Sequence, residues 1–74
     1  MATGALKQLN CPSHEAQVNG AVWLGLDLNK KRQMVRVLSA ICEAETRFKR
    51  IRLLDAQSGR RLADYSGYSE IEVF

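Results

Sequence analysis

Between residues 31 and 50 the apolar side chains recur at the period of an α-helix. Placed at about 100° per residue, Met34, Val35, Val37, Leu38, Ala40, Ile41, Cys42, Ala44 and Phe48 fill one broad arc, while Arg32, Arg36, Ser39, Glu43, Thr46, Arg47 and Arg50 fill the other. A strand over the same residues would set Arg36 beside Met34 and Leu38, and Glu43 beside Ile41. The spacing therefore predicts an amphipathic helix over 31–50, with Asn29 as its N-cap. Lys30, Lys31 and Arg32 crowd the start of that helix, where the macrodipole disfavours positive charge by ~0.3–1 kcal/mol each at low salt. The periodicity outweighs this cost.

A single amphipathic helix needs something to cover its apolar face, and the chain has only 74 residues with which to build it. A domain of this size buries only about 60–65% of its unfolded surface, so one marginal core is expected. Residues 21–29 alternate with period 2: Val22, Leu24, Leu26 and Leu28 on one side, Trp23, Gly25, Asp27 and Asn29 on the other. That pattern reads as a first strand. After the helix, Ile51, Leu53 and Leu54 precede Asp55-Ala56-Gln57-Ser58-Gly59, and Leu62, Ala63 and Tyr65 follow it. Asp early and Gly late in such a loop are the residues of a β-hairpin turn. A break at Ser66-Gly67 leads to a short terminal run in which Ile71 and Val73 share a face. The expected fold is α+β: a small antiparallel sheet in the order strand, helix, strand, strand, short strand, with one helix packed on it. Residues 1–20 show no lasting period and read as a flexible or extended arm, leaving residues 21–74 as a single small domain.

Cysteine usage bears on compartment. Cys11 and Cys42 are too few for a disulfide framework; Cys11 precedes Pro12, and Cys42 lies on the apolar helix arc, where it reads as a small buried hydrophobe. A reduced, cytoplasmic protein is expected. Met1–Leu9 lacks the continuous apolar run of a signal peptide, and the longest apolar stretch, Ala21–Leu28, is interrupted by Gly25 and Asp27, so no membrane segment is expected.

No pattern points to catalysis. His14 is the one histidine; with Cys11 it has a spacing that a metal could bridge, but the second pair of ligands that structural zinc requires is missing, so no metal or other cofactor is expected. Glu43 and Glu45 point to different helix faces, and the glycines lack a phosphate-cradling spacing. The chain is read as a non-enzyme.

Charge and apolar ends suggest binding instead. From Lys30 to Arg61 there are ten basic residues against three acidic ones, while the remainder is acidic, and arginine outnumbers lysine seven to four. Guanidinium groups suit bidentate phosphate contact. Arg32, Arg36, Arg47 and Arg50, with Arg60 and Arg61 as auxiliaries, form a candidate nucleic-acid surface, beside which Tyr65 and Tyr68 could stack on bases; solvated helix faces of this kind are nonetheless common. Trp23 on the polar side of its strand, together with Ile71, Val73 and Phe74 in a terminal edge strand, forms a candidate protein interface. The primary expectation is a small binding or regulatory protein acting through a protein interface, as a homodimer or accessory subunit. A basic nucleic-acid-binding regulator is the alternative.

Overall fold

The computed structural model describes residues 6–67 and 70–74. Strand β1 (Leu6–Asn10) turns through a 3-10 segment, Cys11–Ser13, into the antiparallel β2 (Glu15–Val18). Pro12 holds that turn at its start, and His14 ends it in the left-handed region (φ 58°), donating its N–H to the Cys11 carbonyl at 2.9 Å. The chain then runs through α1 (Gly20–Leu24) and α2 (Leu28–Thr46) to β3 (Ile51–Asp55), which lies parallel to β2. Two antiparallel strands, β4 (Arg61–Tyr65) and β5 (Glu72–Val73), complete a five-stranded sheet in the order β1-β2-β3-β4-β5.

The α+β expectation holds, but the sheet is mixed. A strand reached through a helical crossover returns in the direction of the strand it left, which makes β2 and β3 parallel. Residues 6–18, read as part of an arm, instead supply two strands and the turn between them. The strand expected at 21–29 is instead the end of α1, a turn at 25–27 and the start of α2: Asn19 Oδ1 accepts the N–H groups of Ala21 and Val22 at 3.0 and 3.4 Å and starts α1. Trp23 is buried with Val22 and Leu26 half-buried, the i, i+1, i+4 spacing of a helical turn, whereas Leu24 is 76% exposed. Four apolar residues at alternate positions imitated a strand, but the side of the segment that is buried follows the helical period.

Helix α2 begins earlier and stops earlier than the periodicity implied. Its N-cap is Asp27, not Asn29; the carboxylate accepts the Lys30 N–H at 2.8 Å. This places a negative charge at the positive end of the helix dipole, offsetting the lysines and arginine that follow. Arg47 ends the helix in the left-handed conformation (φ 69°), donating its N–H to the Glu43 carbonyl at 2.7 Å, so Phe48 and Arg50 lie beyond it. The β3–β4 hairpin forms as expected: Asp55 Oδ1 accepts the Gln57 N–H at 3.0 Å, and Gly59 (φ 73°) donates its N–H to the Asp55 carbonyl at 2.8 Å.

Between helix and sheet lies the core. Register aligns Ala16, Leu53, Ala63 and Val73 across four strands, and Val18 and Ile51 join them against Val35, Leu38 and Cys42 of α2 and the ring of Trp23. Alternate residues carry charge across the sheet. In that row Glu15, Arg52, Asp64 and Glu72 are aligned, and the Arg52 guanidinium lies 3.8 Å from Glu15 and 3.9 Å from Asp64. Both pairs are partly solvated and contribute at most ~1 kcal/mol each.

Candidate functional site

Helix α2 is apolar on two sides. Val35, Leu38 and Cys42 point into the core, and the buried Ser39 beside them satisfies its hydroxyl by donating to the Arg36 carbonyl at 2.9 Å. Val37, Ala40, Ile41 and Ala44 stand at i, i+3, i+4 and i+7 on the opposite side, and all four are exposed, Val37 at 42% and Ile41 at 47%. The single apolar arc read from the sequence is thus divided by the sheet, which covers only part of it. Ser39, assigned to the polar arc, is buried, while Val37, Ala40, Ile41 and Ala44 of the apolar arc form an uncovered stripe.

The residues expected at a protein interface are dispersed. Trp23 is only 1% exposed and belongs to the core, with the Lys31 ammonium 5.6 Å from its ring centroid. Its indole nitrogen is buried with no hydrogen-bond partner among the described residues. The segment that carries the tryptophan is a helix rather than the expected strand, and its side chain turns inward. Ile71 and Val73 pack against the core as β5 closes the protein's own sheet, leaving Phe74 exposed at 63%.

The six arginines lie at three places on the protein. Arg32 and Arg36 border a groove of about 220 Å³ with Tyr65, Glu70 and Ile71. Arg47 and Arg50 border a larger, open cleft of about 690 Å³ that Asp64, Glu70 and Glu72 also line, where Glu43 meets Lys49 at 3.9 Å. Arg60 and Arg61 lie at the turn end of the β3–β4 hairpin, and Arg50 immediately precedes the other end of β3. The five residues of β3 therefore separate them by roughly 17 Å. Tyr68 lies outside the described residues.

His14, expected in an exposed arm, is partly buried on the wall of the larger cleft, its ring edge-on to that of Phe48 at 6.1 Å between centroids. Its carbonyl accepts the Arg52 N–H at 2.8 Å. Cys42 is not a free core thiol: it is disulfide-bonded to Cys11, 31 residues away in sequence, with a Cα–Cα distance of 5.0 Å. Proximity of two cysteines so far apart in the chain depends on the hairpin docking on α2, and nothing in their local sequence signals it.

Among the described residues no cluster of three or more His, Cys, Asp or Glu side chains could hold a metal ion. No helix among them is long and apolar enough to cross a membrane. Comparison with known proteins finds no matching family model, no similar curated protein and no similar solved structure.

Proposed function

We propose that this is a small non-enzymatic binding or regulatory protein that acts through a protein interface on the outer side of α2, as a homodimer or as an accessory subunit. The uncovered stripe of Val37, Ala40, Ile41 and Ala44 carries this reading. A helix with one apolar side on its own sheet and another facing outward has a surface that favours removal from water. Two small residues, Ala40 and Ala44, set between the branched Val37 and Ile41 allow a second helix to approach closely while the branched side chains interlock. The size of the domain supports the same reading, since a marginal core gains stability from association.

Sedimentation velocity over a concentration series tests it. The wild-type chain is expected to sediment faster as concentration rises, and Ile41→Glu to remain monomeric with the unfolding midpoint of the dilute, monomeric wild type. A wild type that stays monomeric at high micromolar concentration would remove the homodimer, and the accessory-subunit form would then require a different chain on the same stripe.

The second reading, a nucleic-acid-binding regulator, is supported by the presence of Arg47, Lys49 and Arg50 in the lining of the larger cleft. Fluorescence anisotropy with labelled oligonucleotides at about 50 and about 200 mM salt separates the two, because phosphate contacts lose affinity steeply over that range. A cytoplasmic setting, expected from the cysteine count, is the part of the reading that the Cys11–Cys42 bridge argues against. Such bridges form and persist where the surroundings oxidise thiols and are rare in a reducing cytoplasm.

A further inference from the structure

We propose that the fold is oxidation-dependent: the Cys11–Cys42 bridge is the staple that keeps the β1–β2 hairpin docked on α2, and with it the His14 wall of the larger cleft. Cys11 opens the turn between the two strands, and Cys42 lies on the core side of α2, so the bond joins two parts of the chain across the core. Beside Cys11 the hairpin places Ala16 and Val18 in the core and packs the half-buried Leu6 and Leu9 against it, contacts that the covalent bond supplements. Three residues after Cys11, His14 ends the same turn against Phe48, so the turn's position sets the shape of the cleft.

The chemistry is a thiol–disulfide exchange with a disulfide of another molecule as oxidant. One cysteine thiolate attacks the donor's S–S bond and expels one donor thiolate. The second cysteine thiolate then displaces the remaining donor sulfur. Two thiols of the chain have become one disulfide, the donor leaves as two thiols, and two electrons have passed to it. Both sulfurs belong to buried residues, 4% and 0% exposed, so attack by a reductant requires the hairpin to open first. The bond therefore persists in the folded protein once made, and the redox surroundings act at the stage of folding or of local opening.

Denaturant unfolding of the full chain, oxidised and fully reduced, followed by Trp23 fluorescence, tests this. A cross-link spanning 31 residues in sequence is expected to favour the folded state by about 500-fold through the lost freedom of the unfolded chain. Hydrogen exchange is expected to show residues 6–18 losing protection first on reduction, or the whole chain failing to fold; both results support the proposal. Cys11→Ser is expected to behave as the reduced wild type and to ignore reductant. The reduced wild type is the control free of any substitution. Equal stability of the oxidised and reduced wild-type chains would overturn the proposal, as would two titratable thiols in protein folded under a disulfide donor.

Discussion

Gly20 stands against the carboxylate of Asp55: a Cβ on the glycine would lie 2.9 Å from Oδ2 and 3.0 Å from Cγ. The contact joins the start of the crossover to the end of β3, where the Ala56 N–H also donates to the Val18 carbonyl at 2.9 Å. Asp55 has little freedom to retreat, because Oδ1 accepts the Gln57 N–H and Oδ2 accepts the Ser58 hydroxyl at 3.1 Å. Gly20→Ala is therefore expected to destabilise the protein by ~1–3 kcal/mol, the usual cost of overpacking. Denaturant unfolding measures it, and a loss below about 0.5 kcal/mol, the range of an ordinary surface change, would show that the turn yields.

The cap of α2 offers a smaller effect of known sign. Asp27→Ala removes the acceptor of the Lys30 N–H and the negative charge beside Lys30, Lys31 and Arg32. A loss of ~0.5–2 kcal/mol is expected, with Asp27→Asn retaining most of the cap. Thermal unfolding of the two variants distinguishes the hydrogen bond from the charge.

The two apolar sides of α2 are expected to respond oppositely to truncation. Leu38 is fully buried, and Leu38→Ala is expected to cost ~2–5 kcal/mol by leaving a cavity. Ile41→Ala on the outer stripe is expected to change the stability of the dilute, monomeric protein by only about 0.5 kcal/mol. Its effect should appear in association. A large loss for Ile41→Ala at low concentration would show that the stripe is covered within the monomer.

Trp23 reports on the core. Its emission is expected to be blue-shifted in the folded protein and to move to the red on unfolding, since its ring is removed from water. Lys31→Ala removes the cation above the ring and is expected to cost ~0.5–1 kcal/mol without exposing the tryptophan. A red-shifted emission in native Lys31→Ala would mean that the lysine's methylene chain was a main cover of the ring.

The features legible from sequence are those that depend on near neighbours. The helix carrying Val35, Leu38 and Cys42 is written in its 3.6-residue period, and the β3–β4 turn in Asp55 and Gly59, because both signals act over a few residues. The α+β class follows from those elements together. The burial of Trp23 in the core, and the packing of Ile71 and Val73 against it, were not legible in the same way, since burial depends on what lies across the core rather than beside the residue.

Tertiary structure decided the remainder for the same reason. Whether Val22 to Leu28 alternated as a strand or wound as a helix depended on which side met the sheet, and the buried Trp23 marks that side. Whether β2 and β3 ran parallel depended on a crossover that no local pattern specifies. Only docking of the hairpin on α2 brings Cys11 to Cys42 and divides one apolar helix arc into a core face and an outward stripe. Periodicity states how much of a helix is apolar; the sheet, covering one side, determines how much of that surface is left to bind.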